Sequence, residues 1–323
     1  MMWSKVVILA AAMTVAVCAN AAGQNTGSED AGKKAARAGD AGKKDGEKRD
    51  TEKKDAEKQD AEKKDPPAET AAAQEDDPDL DPNPAQPDFT VVNLPPTLRL
   101  PRHKSAFRVT HRFGRPLGAG DFGDLAGDFF GLDSGAQIGL EYRFGLFRGT
   151  QVGIHRTSDR TIEFFGQYDI LGPNDGGRKF GLAAVATIEG TNNFQDSYTP
   201  GVGAVVSYQL GQHAAFYATP MYLNNTNLLP SELSDDNDTF VIGLATRIRV
   251  LSTVYVLGEY TPRVVGYDPR VSQISFGIEK RVGGHAFQLN FHNGFGTTWG
   301  QISRGGTSND DWYLGFNISR KFF

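Results

Sequence analysis

Cysteine is all but missing from this sequence. Its one copy, Cys18, sits at the end of an N-terminal apolar run, Val6 to Val17, that follows a lone positive charge at Lys5. At about twelve residues the run is too short for the roughly 20 that a spanning helix needs. The small-x-small triplet Ala19-Asn20-Ala21 closes it, in the pattern of an export signal. Val17 is a poor fit to the small residue that precedes a lipidated cysteine, so residues 1–21 are expected to leave as a signal peptide cut after Ala21. The remaining chain has no cysteine, which excludes disulfides and thiolate metal sites.

Large apolar residues are the second absence. Residues 22–79 contain no Val, Ile, Leu, Met, Phe, Tyr or Trp, so the segment has nothing to bury against its ordering entropy. Within it Asp30, Asp40, Asp45, Asp50, Asp55, Asp60 and Asp65 fall on a five-residue grid, as in "DTEKKDAEKQDAEKKD". A period of five matches neither a heptad nor a 3.6-residue helix, which excludes a coiled coil. From Pro66 to Pro101 the chain is Pro-rich and mostly acidic, the composition of a stiffer linker. Residues 22–104 are therefore expected to form a disordered periplasmic tether, with the charged repeat at 30–65 and the Pro/acidic linker at 66–104. It is expected to share no apolar surface with the rest and to be dispensable for its folding.

Lysine is the third. Beyond Ser105 only Lys179, Lys280 and Lys321 occur, although soluble sheets commonly place lysine on exposed faces and edges. What this half does contain is strict alternation. In "GAQIGLEYRFG" (135–145) Ala136, Ile138, Leu140, Tyr142 and Phe144 face one way, and Gln137, Glu141 and Arg143 the other. The pattern recurs in twelve segments from "FRVTHRF" (107–113) to "DWYLGFNISRKFF" (311–323), each about nine to eleven residues, enough for a tilted strand to cross a bilayer. The even-numbered connections are compact ("LFRG", "GQH", "LST", "VGG"). Most odd-numbered ones are long, "GRPLGAGDFGDLAGDFFGLD" and "GFGTTWGQISRGGTSND" among them, and only "SDR" breaks the trend. Short turns at one end and long loops at the other belong to outer-membrane barrels. Turning Glu141, Arg143, Glu163, Arg247 or Glu259 to lipid would cost ~2–4 kcal/mol each near the midplane. Turning the apolar faces to water would expose a band larger than a soluble monomer tolerates. The sequence thus predicts an all-β fold: an antiparallel transmembrane barrel of about 12 strands over 105–323, apolar face to lipid. The final Phe323 is similar to the terminal aromatic of such proteins, one register off the face shared by Trp312, Leu314, Phe316, Ile318 and Phe322.

The segments "HRFG" (111–114), "FFGLDSGAQIGLEYRFG" (129–145) and "QVGIHRTS" (151–158) resemble a bacterial family of membrane-associated β-barrel domains with no assigned activity. The turn before "QVGI" departs from the family's Thr-Asp type, being "LFRG" here, and this touches only a periplasmic turn. The resemblance implies a fold and a location and carries no catalytic residue to transfer.

Two groups of residues stand out as sites. Arg108, Arg112, Arg143, Arg247, Arg249 and Arg263 are expected to face Glu141, Glu163, Asp169, Glu189, Glu259 and Glu279 across the lumen. They read equally well as a selectivity ladder and as a salt-bridge network filling a narrow interior. In the first long loop Asp121, Phe122, Asp124, Asp128, Phe129 and Phe130 are expected to fold over or into the barrel as its constriction; their carboxylates lack calcium-loop spacing. His111, His155, His213, His285 and His292 raise a hydrolase, but G-x-S-x-G and H-E-x-x-H are absent. The expectation is a narrow, weakly selective outer-membrane channel for small solutes. The alternatives are a plugged structural or partner-docking barrel and, behind both, a hydrolase. Expected partners are outer-membrane lipid, a small solute and a periplasmic or cell-wall partner of the tail; no catalytic residue, metal, cofactor or nucleic acid is expected.

Overall fold

The structure is a computed structural model that describes residues 83–131, 134–172, 178–227, 229, 237–267 and 271–322. The expected signal peptide, the charged repeat, the expected linker up to residue 82 and Phe323 lie outside the described residues. Twelve antiparallel strands follow one another along the chain. They are β1 (Ser105–Pro116), β2 (Ala136–Phe147), β3 (Thr150–Thr157), β4 (Ile162–Leu171), β5 (Phe180–Gly190), β6 (Asp196–Leu210), β7 (Ala214–Leu223), β8 (Thr239–Leu251), β9 (Val254–Thr261, resuming at Arg263–Gly266), β10 (Gln273–Val282), β11 (His285–His292) and β12 (Tyr313–Phe322). The break in β9 falls at Pro262, which has no N–H to give the ladder. Both halves of β9 pair with β8, with a register shift between Arg263 and Val265.

Each strand pairs with its neighbours in sequence, and β1 pairs with β12 from Ser105↔Phe322 to Pro116↔Tyr313, so the sheet closes and leaves no edge. The period-2 pattern decides which face is which. Ile138, Leu140 and Tyr142 are 39%, 48% and 44% exposed, whereas Glu141 and Arg143 between them are 3% and 6%. The apolar face is outside and the charged face lines the lumen, as the energetics of lipid contact require. Among the described residues no helix is long and apolar enough to cross a membrane, and the crossing is made by strands.

The tight turns between β2 and β3, β6 and β7, β8 and β9, and β10 and β11 all fall at one end. The loops after β1, β7 and β11 fall at the other. The segment "GTNNFQDSYT", expected as a long loop, is shorter than its sequence implied. Strand β6 begins at Asp196; the β5–β6 ladder runs to Glu189↔Thr199, and an isolated bridge pairs Thr191 with Asp196.

Candidate functional site: a filled lumen

The interior of a twelve-strand barrel is wider than the eight-strand case, in which wall side chains alone meet at the centre. Here two segments of the chain fill the difference.

The first is residues 83–101, which enter the lumen as a re-entrant hairpin. The apex is a turn in which the Val91 N–H donates to the Leu94 carbonyl at 2.9 Å. The three amides at the apex converge on one carboxylate: Val92, Asn93 and Leu94 N–H donate to Glu259 Oε1 at 2.6, 2.8 and 2.8 Å. Successive backbone N–H groups turned to one side form a concave cradle for an anion, and Glu259 on β9 is that anion. The Asn93 side chain accepts from Arg112 at 2.8 Å and donates to Glu259 at 3.3 Å. Below the apex the wall reads the hairpin through its carbonyls. Arg108 and Asn317 donate to Val92 O at 2.9 and 2.8 Å, Gln288 to Val91 O at 2.7 Å, and Arg247 to Thr90 O at 2.7 Å. On the descending leg Gln167 donates to Pro96 O at 3.0 Å and Gln151 to Leu98 O at 3.2 Å. Such pairing is what lets polar backbone be buried at all.

The hairpin is also an apolar plug. Val91, Val92 and Leu94 are fully buried with Val185, Val205, Tyr217 and Leu257, inward-facing residues of β5, β6, β7 and β9. Phe89 and Leu100 pack with Ala106. The expectation that residues 22–104 share no apolar surface with the barrel is therefore wrong for 83–101. Proline and acid content suggested a linker, and outweighed a signal that was present. Phe89, Val91, Val92, Leu94, Leu98 and Leu100 stand within twelve positions, after residues 22–88 in which Leu80 alone is of this kind.

The second segment is the β11–β12 loop, which folds inward from the opposite end. Its helix α1 (Trp299–Ser303) is buried at Trp299 and Ile302, and both join the apolar cluster around Leu94. Two carboxylates hold it. The Trp299 N–H donates to Glu163 at 2.9 Å; Glu189 accepts from Thr298 Oγ1 at 2.5 Å and from Arg304 at 2.9 Å. Glu163 and Glu189 are direct cross-strand partners on β4 and β5. Like charges side by side are unfavourable in themselves, and the loop supplies the donors and the guanidinium that offset this. Arg263 ties down the loop's far end through the Ser303 carbonyl at 3.1 Å.

The remaining lumen residues form pairs. Arg108, Glu141, His155, Glu163 and Glu189 stand in one cross-strand row from β1 to β5. Within it Glu141 is ion-paired to both Arg108 and Arg143. On the other side of the barrel Arg247 and Glu279 pair at 2.9 Å with no exposed surface on either side chain, and Glu279 also accepts from Gln288 at 2.7 Å. Asp169 is buried and accepts from Gln167 at 3.0 Å. Arg249 stands apart at the short-turn rim, where it donates to Ser252 O. Arg108, Glu141 and Arg143 on one side and Arg247 and Glu279 on the other are thus held in ion pairs. His155 and His292 are buried inside the barrel at 1% and 0% exposure. A cavity of about 30 Å³ is lined by Arg108, Glu141, His155, Glu163 and Trp299, enough for a water molecule or two.

The first long loop does not fold inward. Helix α2 (Phe122–Gly127) is capped by Asp121, whose side chain accepts from the Asp124 N–H at 2.9 Å. Arg115 binds the Asp124 carbonyl at 2.9 Å and pairs with Asp128. These contacts hold the loop to Arg115 at the end of β1. Phe122, Phe129 and Phe130 are 75%, 66% and 42% exposed. The expectation that Asp121, Phe122, Asp124, Asp128, Phe129 and Phe130 form the constriction is corrected: the segment that turns inward is the last loop. Among the described residues no group of three or more His, Cys, Asp or Glu is placed to hold a metal ion.

A membrane bound beta barrel domain of unknown function (DUF5777) matches residues 88–322, from the ascending leg of the hairpin to the end of β12. The chain belongs to this family. The match begins inside the plug, so part of the hairpin is included in the family's domain. No curated protein matches the chain. Among solved structures, the NanC porin is 10% identical with a TM-score of 0.45, over 68% of this chain and 100% of its own. The KdgM porin, in complex with disordered oligogalacturonate, is 8% identical with a TM-score of 0.40, over 68% and 99%. A triple mutant of the Rhodopseudomonas blastica porin is 14% identical with a TM-score of 0.31, over 58% and 55%. These likenesses are too distant to transfer a solute or a residue role to this chain.

Proposed function

We propose that the protein is an outer-membrane barrel that passes small solutes only when its own hairpin plug is withdrawn, and that it stands closed in the state described here. The observation that carries this reading is the occupation of the lumen from both ends, by residues 83–101 and by α1, whose Val91, Val92, Leu94, Trp299 and Ile302 are buried in one apolar cluster with wall residues of β5 to β9. Closure by a segment held to the wall by hydrogen bonds and apolar packing is reversible, whereas closure by wall side chains would not be. The hairpin's two legs leave at the short-turn end, which in outer-membrane barrels is periplasmic. On this reading the charged repeat and linker lie in the periplasm, where a cell-wall or periplasmic partner can load the plug. The lumen's paired charges favour weak ion selectivity once the path is open.

Planar-bilayer recording tests the proposal. The full chain should be silent or open rarely, and a chain lacking residues 83–101 should show steady, small conductance, provided that it still shows heat-modifiable migration. A folded, hairpin-deleted barrel with no current would refute the proposal in favour of a permanently plugged structural barrel.

A further inference from the structure

Both legs of the hairpin pass through one mouth of the barrel. The Pro84 carbonyl is held by Tyr255, next to the β8–β9 turn, and the Leu98 carbonyl by Gln151, next to the β2–β3 turn. The apex alone reaches the depth of Glu259. The plug can therefore leave and re-enter without threading the chain through the barrel. Its links to the wall are mostly to backbone, the mode by which domains bind extended peptides with broad sequence tolerance. Side-chain reading concentrates at the apex, in the Asn93 amide between Arg112 and Glu259 and in the apolar recess that takes Val91, Val92 and Leu94. The covalent connection from plug to barrel runs through Arg102 and His103, both exposed at the rim. These are the features of a binding site that happens to be filled in cis.

We propose that the lumen is a peptide-binding tunnel, open to the short-turn side, that accepts in trans an apolar peptide turn of the hairpin's own kind: Asn at the apex, β-branched and Leu residues around it, prolines on the descending leg. The inference rests on the plug being withdrawable, as proposed above, and adds that the vacated lumen is selective for such a peptide. The hairpin of a second copy of this chain would then reclose a barrel whose own plug has been pulled.

The test uses the full chain with a protease recognition sequence inserted between Arg102 and His103, cut after folding in detergent or lipid. A fluorescent synthetic peptide of residues 83–101 is then added in excess. Saturable exchange into the cut barrel is expected, with affinity reduced at least tenfold when the peptide carries Asn93→Ala, and no saturable uptake of a scrambled peptide. A chain beginning at residue 102 and refolded without the plug provides a second preparation for the same titration. Equal uptake of native and scrambled peptide, or no uptake by either preparation, would overturn the inference. Bilayer current separates the two proposals. Current from the plug-free barrel that peptide fails to block refutes the peptide site alone, and absence of current in every preparation refutes the reading of a withdrawable plug as well.

Discussion

Removing the Glu259 carboxylate should release the plug. The Val92, Asn93 and Leu94 amides all donate to its Oε1, and the Asn93 amide also reaches Oε2 at 3.0 Å. Glu259→Ala leaves these buried donors without an acceptor, at about 1–3 kcal/mol each. Water entering the space vacated by the side chain recovers part of this, so the net shift is on the order of 3 kcal/mol. At 1.4 kcal/mol per decade that raises the population of withdrawn hairpin about 100-fold. Glu259→Gln keeps one carbonyl acceptor but loses the charge and turns an NH₂ toward the amides, giving about tenfold on the same scale. Ser275→Ala, which removes only a 3.4 Å contact to the Asn93 side chain, is the control and should change the population less than twofold, or by about 0.4 kcal/mol. The assay is thiol labelling at Ala85→Cys in a Cys18→Ser background. Ala85 is buried in the plug, so label reports withdrawal. Labelling rates for Glu259→Ala equal to those for Ser275→Ala would refute the reasoning, because the amide cradle would then contribute nothing to holding the hairpin.

Further outcomes follow from other contacts. Glu279→Ala strands the Arg247 guanidinium, which has no exposed surface; the heat-modifiability midpoint should fall by the equivalent of about 3–5 kcal/mol, and an unchanged midpoint would contradict the pairing. Glu189→Ala removes the carboxylate that anchors Thr298 and Arg304; residues 293–312 should become cleavable by protease from the long-loop side while Ala85→Cys stays protected. Gly145→Ala would drive a methyl group into the Pro101 carbonyl and should destabilise the plugged barrel by about 1–3 kcal/mol, an effect that disappears when residues 83–101 are deleted. Deleting Asp121 to Phe130 should leave the conductance of the hairpin-deleted barrel unchanged within about twofold, since Phe122, Phe129 and Phe130 are exposed and not buried in the lumen; a several-fold increase would restore this loop as the constriction.

What could be read in the sequence was whatever period two and loop length encode. Alternation in "GAQIGLEYRFG" set the orientation of Glu141 and Arg143, and the compact turns "LFRG", "GQH" and "VGG" set the strand count and the end at which each turn lies. The contents of the lumen were harder to read, because a barrel's inward face carries two kinds of signal. On β1 to β4 it is charged and stands out. On β5 to β9 it includes Val185, Val205, Tyr217, Met221 and Leu257, which look like the lipid-facing residues beside them. An apolar patch inside a wide barrel requires an apolar occupant, and Phe89 to Leu100 is the matching stretch, but neither half of the pair is recognisable without the register of the other. The two long loops differ for a similar reason. Acidic and aromatic residues are abundant in residues 117–131, yet Arg115 at the end of β1 holds that loop through Asp124 and Asp128. In the last loop Trp299 and Arg304 find partners on Glu163 and Glu189, whose adjacency depends on strand pairing that sequence spacing does not reveal.

The presence of residues 83–101 inside the barrel can be tested at one pair of atoms. Thr97 Oγ1 on the descending leg lies 2.5 Å from Ser207 Oγ on the inward face of β6, and both residues are buried. In a Cys18→Ser background, Thr97→Cys with Ser207→Cys should form a disulfide on mild oxidation of the folded protein in membranes, seen as a mobility shift without reductant and confirmed by mass spectrometry of the linked peptides. The account predicts near-complete cross-linking, and a cross-linked barrel that stays non-conducting in bilayers until the bond is reduced. Absence of the disulfide in a heat-modifiable, correctly folded barrel would place the hairpin elsewhere and contradict the account.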